Sequence, residues 1–197
     1  MTPAVVVLVD LARGGSALPK VAREVGDLHA NRLYRLLLGR VEQAARDAGT
    51  RASIWYRPAD ARAEVAQWLG PDADLRPQAS GPLGSRIAAA AAVTNLPHGW
   101  LAFVRPVVGV DASLLRRAAN LLIDAPIVIG PAEDGGIYLA GGRVAAPAAL
   151  TTLNDAGPGA LDKLRSGLTR AGIVYAELPV QRVIETAADA RAARLLA

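Results

Sequence analysis

Cysteine is absent from this 197-residue chain, and methionine and phenylalanine occur once each. Without cysteine there can be no disulfide, no thiolate metal site and no cysteine nucleophile. Aromatic residues make up only 4% while hydrophobic residues reach 52%, so the core must be built from Ala, Val, Leu and Ile. Such a core suits helices packed closely on a sheet. Histidine is scarce as well: His29 and His98 are far apart, with no acidic neighbour at a ligand spacing, and read as structural. Lysine occurs twice against twenty arginines, and the net charge is +4. That bias fits a GC-rich coding sequence better than a binding stripe, because the arginines are scattered among acids and no nucleic-acid motif accompanies them. No apolar run approaches the roughly 18 to 20 residues of a membrane span, and no basic leader precedes the "AVVVLV" start. The expectation is a soluble, cytoplasmic protein with no membrane span and no nucleic-acid partner.

What is present alternates. The run 4–9, "AVVVLV", has strand length and no polar interruption, as in a central strand covered on both faces. After the loop "DLARGGSALPK", apolar residues at helical spacing predict a helix from Asp27, its cap, to Ala48, with Gly49 as its stop. "ASIWYRP" reads as a strand, "DARAEVAQWL" as a helix from Asp60, "LRPQ" as a short extended piece and residues 85–95 as an alanine-rich helix. "WLAFV" is the next strand, Asp111 heads the helix "ASLLRRAANLL", and "PIVIG" and "GIYLAGG" flank an acidic corner. A helix over 158–171, the strand "IVYAEL" and a terminal helix over 186–196 complete the pattern. No linker divides it, so residues 1–197 are expected to form a single α/β domain with a mostly parallel sheet. Ligands of such sheets sit beyond the carboxyl ends of the strands, which directs attention to the loops after residues 9, 57, 78, 104 and 130.

Dinucleotide, P-loop and nucleophile-elbow motifs are all missing. Two glycine-containing loops remain. In "RPQASGPLGSRIAAAAA", Gln78, Gly81 and Gly84 precede a helix expected to begin near Ser85, and its free N–H groups with Arg86 could hold a phosphate. The same composition also makes an ordinary connection. In "IGPAEDGGIYLAGG", Glu133 and Asp134 followed by Gly135 and Gly136 could admit a polar ligand or a divalent ion. The alternative is a hairpin whose acids are merely solvated.

These stretches, "PQASGPLGSRIAAAA", "LLRRA" and above all "GPAEDGGIYLAGG", resemble in order and spacing the bacterial glycosyltransferase-A-like proteins of the DUF2064 group. "NRLYRLLL" fits as well, so the resemblance runs over essentially the whole chain. It implies a three-layer α/β/α sandwich of the nucleotide-diphospho-sugar transferase type, with Rossmann-like parallel strands. It also implies transfer of a sugar or nucleotidyl group with Mg²⁺ or Mn²⁺. By the same resemblance Lys20, Gln78, Gly81, Gly84 and Arg86 would face nucleotide phosphates. Glu133, Asp134, Gly135, Gly136 and Tyr138 would line the acceptor side.

The chain departs from that pattern at three places. A basic Lys-Thr-Arg core is replaced around "LPKVAREVG", leaving Lys20. The metal aspartate of a Gly-Ser-Asp-Cys-Pro-like turn falls on Pro106 in the gap-free match, while a shifted match would offer Asp111. An Asp-Val-Asp-Thr-like turn becomes Val183-Ile184-Glu185-Thr186, leaving Glu185 as its acid. Losing one preorganised charge can cost about 2.7 to 4 kcal/mol of transition-state stabilisation. The reading that follows is a degenerate transferase-like protein with weak or no metal-dependent catalysis, binding a nucleotide, a nucleotide sugar or a protein partner. An active enzyme would have to recruit Asp111, Glu133, Asp134 or Glu185 to Mg²⁺ or Mn²⁺, and Lys20, Arg86 or Arg105 to phosphates. A third reading is a structural subunit of a homo-oligomer.

Overall fold

The computed structural model describes residues 2–11, 16–70, 72–94 and 98–196. Residues 12–15 of the loop after the first strand, and Asn95 at the expected end of the alanine-rich helix, lie outside them. The strands are β1 (Ala4–Asp10), β2 (Ala52–Arg57), β3 (Asp74–Pro77), β4 (Trp100–Phe103), β5 (Ile127–Pro131), β6 (Ile137–Gly142) and β7 (Tyr175–Glu177). They form one seven-stranded sheet in the order β3-β2-β1-β4-β6-β5-β7. β6 alone runs antiparallel to its neighbours, paired Leu101↔Gly141 with β4 and Val128↔Gly141 with β5.

Alternation along β1 distributes the core. Val5, Val7 and Val9 pack on one face with α2 (Asp27–Asp47) and α5 (Ala112–Asp124), through Leu37, Val41, Leu115 and Leu122. Val6 and Leu8 pack on the other with α4 (Leu83–Thr94) and α7 (Ala160–Arg170), through Ile87, Ala90, Leu164 and Leu168. This is a three-layer α/β/α arrangement, and the small side chains bring backbone close to backbone. A Cβ on Gly141 would lie 2.6 Å from the Leu101 side chain and 2.8 Å from the Trp100 carbonyl, so only glycine fits between β4 and β5 there.

Helix ends follow local chemistry. Asp111 accepts from the Leu114 N–H at 2.8 Å and caps α5, as expected. Thr186 and Asp189 form a reciprocal capping box at α8 (Ala187–Ala192), which is shorter than the predicted terminal helix. Asp27 does not cap α2; Gly26 is the cap and Asp27 is the first helical residue, adding favourable charge to the first turn. Two further helices lie where the sequence pattern predicts no element: α1 (Pro19–Val25), and α6 (Ala148–Thr151). A 3-10 turn over Ala59–Ala61 precedes α3 (Arg62–Leu69) where a helix from Asp60 is expected. No helix among the described residues is long and apolar enough to cross a membrane.

Candidate functional site

Parallel strands carry their carboxyl ends to one edge of the sheet, and the reversed β6 begins at that edge. Two polar clusters gather there. The first joins the ends of β1, β2 and β3. The Asp10 carboxylate lies 2.8 Å from Arg86 Nη1 and 2.9 Å from Arg57 Nη2. Gln78 Nε2 donates to the Val9 and Trp55 carbonyls at 3.0 and 2.8 Å and to Asp10 at 3.0 Å, and the Gln78 side-chain oxygen accepts from Arg86 Nη1. Arg86 is 6% exposed and its Nε has no partner. Burial, its largest influence, lowers the guanidinium's pKa against the opposing pull of Asp10.

This geometry corrects part of the phosphate-loop expectation. α4 begins at Leu83, so Gly84 is helical rather than in the loop. A Cβ on Gly84 would fall 2.0 Å from the Leu150 carbonyl, so this glycine serves the close approach of α4 to α6. The Leu83 and Gly84 N–H groups donate to the Asn154 and Leu153 carbonyls at 3.2 and 2.8 Å, and an anion cannot use them while those bonds stand. Gly81, with φ of +108°, makes the turn ahead of the helix.

The second cluster centres on Arg105, the second residue past β4, whose side chain is 7% exposed. Its Nη1 donates to Asp134 Oδ1 at 3.0 Å and to the Ala156 carbonyl at 3.2 Å. Its Nη2 donates to Asp134 Oδ2 at 2.6 Å and to Glu185 Oε1 at 2.7 Å, and its Nε to Glu185 Oε1 at 2.9 Å. All five guanidinium donors are thereby engaged. Lys20 Nζ bonds the other Glu185 oxygen at 2.8 Å, so a chain of charges runs Lys20, Glu185, Arg105, Asp134. At the rim, Arg182 pairs with Glu133 at 2.9 Å.

The titration of these groups follows from their neighbours. The Arg105 hydrogen bond is the main reason the Asp134 pKa lies below the ordinary carboxylate value, helped by the Gly136 N–H at 2.9 Å. For Glu185, burial pushes the pKa up, but Lys20 and Arg105 together bring it below the ordinary value. Burial opposes the Arg105 charge too, and the two carboxylates outweigh it and raise its pKa.

The glycines of the acidic corner make this packing feasible. Gly135 has φ of +79°, and a Cβ on Gly136 would lie 2.3 Å from the Ala156 carbonyl and 2.5 Å from Arg105 Nη1. The corner is a hairpin between β5 and β6, and its acids are ion-paired rather than merely solvated. Beside it lies a groove of about 280 Å³ lined by Arg105, Glu133, Asp134, Arg182, Glu185 and Thr186 among others. A wider surface groove of about 740 Å³ lies between α6 and α7, with Thr152, Asp162, Lys163, Ser166 and Arg170 among the residues that line it.

Two expected site residues are elsewhere. Tyr138 is fully buried beneath Gly130 and beside Phe103, and its hydroxyl donates to the Pro179 carbonyl at 3.2 Å; it does not line the groove. β6 is covered on both faces, so its tyrosine belongs to the core. Asp111 is engaged in capping, and burial-independent hydrogen bonding from Leu114 chiefly lowers its pKa. Glu185, by contrast, is brought to the centre: the Ile184 N–H bonds the Pro106 carbonyl at 3.0 Å, setting the turn after β4 and the segment before α8 side by side. The central place of Arg105 and the presence of Asp10 were not anticipated, although each stands at the carboxyl end of an apolar strand run.

The donor set does not fit a divalent metal. Asp134 and Glu185 are both bound to Arg105, and Pro106 has no ligating side chain. Among the described residues no group of three or more His, Asp or Glu side chains could hold a metal ion.

The sheet order, its one reversed strand and the polar cleft across the strand ends define an α/β fold of the nucleotide-diphospho-sugar transferase type. A solved protein of Desulfovibrio desulfuricans G20, described as a candidate nucleotide-diphospho-sugar transferase, superimposes with a TM-score of 0.81 at 23% identity, over 94% of this chain and 84% of its own. Rv0371c of Mycobacterium tuberculosis H37Rv, solved as a complex with manganese, gives 0.60 at 20% identity over 100% and 98%. CMP:2-keto-3-deoxy-manno-octonic acid synthetase complexed with CTP gives 0.50 at 12% identity over 100% of both chains. At such identities the likeness speaks for the fold. The chain itself belongs to the DUF2064 family, described as uncharacterized protein conserved in bacteria, whose model matches residues 40–154. That span holds Asp10's partners Arg57, Gln78 and Arg86, as well as Arg105 and Asp134, but neither Lys20 nor Glu185. No curated protein matches the chain.

Proposed function

We propose that this protein is a transferase-fold binder of an anionic nucleotide-type ligand that has given up metal-dependent transfer. The observation that carries this reading is the saturation of Arg105. Five donors spent on Asp134, Glu185 and Ala156 leave the guanidinium none for a phosphate and leave the two carboxylates little freedom for a metal. Metal-assisted transfer relies on a cation to offset charge at the leaving group, and that role has no free occupant here.

The preference for an anion rests on the first cluster. Arg57 and Arg86 share one acid, Asp10, and retain an excess positive charge at the ends of β1 to β3. An incoming anion would complete that balance. CTP in a structural neighbour of the same fold supports looking first among nucleotides. Residues 1–197 would act as one unit in this role.

Calorimetric titration with nucleoside diphosphates and nucleotide sugars, each with and without Mn²⁺, tests the reading. Binding that is indifferent to Mn²⁺ is expected, together with no turnover of the nucleotide sugar. Micromolar binding that requires Mn²⁺ would restore the active-enzyme alternative.

A further inference from the structure

The helix α2 has two faces of opposite character. Leu33, Tyr34, Leu37, Leu38 and Val41 are buried in the core. The outward face, followed at helical spacing, reads Leu28, Arg32, Arg35, Leu36 and Gly39. Leu28 is 74% exposed and Leu36 49%, the reverse of what folding alone asks of leucine. Arg32 and Arg35 are exposed between them and, among the described residues, form no ion pair. No acid occurs between Asp27 and Glu42, so the stretch that carries these arginines holds no counter-charge of its own. Arg40 stands apart from the face, its Nη1 donating to the Val108 carbonyl at 3.2 Å. A Cβ on Gly39 would meet nothing within 4 Å, so the face is open there as well.

We propose that this outward face of α2 docks on an anionic lipid bilayer, with Arg32 and Arg35 on headgroup phosphates and Leu28 and Leu36 dipped into the interface. Guanidinium groups match phosphate oxygens, and their aliphatic stems lie along apolar surface beside the leucines. The face is the convex side of one helix, which a deformable interface accommodates without a preformed pocket. A second copy laid on it would set arginine against arginine, and a nucleic-acid backbone gains nothing from the two leucines. The proposal goes beyond nucleotide binding at the strand ends and does not depend on it.

The test cosediments the full-length protein with large unilamellar vesicles, one set of phosphatidylcholine alone and one of phosphatidylcholine mixed with phosphatidylserine. Binding is expected only to the vesicles that contain phosphatidylserine, and added salt should weaken it. Arg32→Gln combined with Arg35→Gln should lower that binding about 30-fold, the effect of two cations lost near an anionic surface. Leu28→Ser combined with Leu36→Ser should lower it about tenfold. Gly39→Leu enters open space, suits a helix better than glycine and adds an apolar side chain to the face, so it should strengthen binding about tenfold. All five positions point outward, and circular dichroism checks that each variant keeps the fold.

No binding to phosphatidylserine vesicles at low salt would overturn the proposal. Binding that the leucine and Gly39 variants leave unchanged would overturn it too, reducing the face to a charged patch open to any polyanion, nucleic acid included. Self-association without lipid, seen by light scattering and abolished by the leucine pair of substitutions, would assign the face to a second copy instead.

Discussion

At the scale of single residues, the site turns on contacts too distant in sequence to be read from it. Arg105 lies 29 residues from Asp134 and 80 from Glu185, and nothing in "WLAFVRP" marks it as the centre of an ion cluster. The acidic corner was legible because its residue types are unusual beside their neighbours, whereas its partner is an ordinary arginine among twenty. Tyr138 misled for the opposite reason: it adjoins the corner in sequence, yet points into the core. Gly136 offers the sharpest single-residue test. Gly136→Ala would set a Cβ 2.3 Å from the Ala156 carbonyl, and the neighbour is backbone that cannot simply rotate away. A loss of about 1 to 3 kcal/mol is expected from such overpacking, measured by urea unfolding. A variant as stable as wild type would mean that the corner has room to relax.

Elements were read more surely than contacts, because hydrophobic periodicity and caps are local. "AVVVLV" announces a strand buried on both faces, and Asp111 announces the start of α5; both are found. α1 was missed although Pro19 occupies its opening turn, a place proline favours, because at seven residues it has too few turns to display a period. Gly84 was misread since glycine signals turns more often than close helix packing. The capping bond at Asp111 gives a prediction on this scale. Asp111→Ala removes the acceptor for the Leu114 N–H and should cost about 1 kcal/mol of stability, while Asp111→Ser should recover most of it. If nucleotide binding also fell in a folded Asp111→Ala protein, the residue would have a role beyond capping.

On the scale of the whole molecule, the alternation of strands and helices sufficed to anticipate the three layers, and the one reversed strand was foreseen only through the hairpin alternative at the acidic corner. Charge balance across the cleft also makes stability depend on pH. Asp134 and Glu185 have folded pKa values below their ordinary 3.8 and 4.5, so their contribution is complete above those values and is lost as pH falls through the folded ones. Stability should therefore hold near neutrality and decline below about pH 5, and Asp134→Asn should flatten part of that decline. A denaturation series showing equal stability at about pH 3 and pH 6 would contradict this. The strand order carries a consequence for synthesis on the ribosome. As the chain emerges, β2 finds β1, β3 finds β2 and β4 finds β1, each joining a strand already made. β5 has no such neighbour, because β6 stands between it and β4. The acidic corner must therefore leave the exit tunnel, followed by β6, before β5 has any edge to join, and the second half of the sheet closes as a hairpin rather than strand by strand.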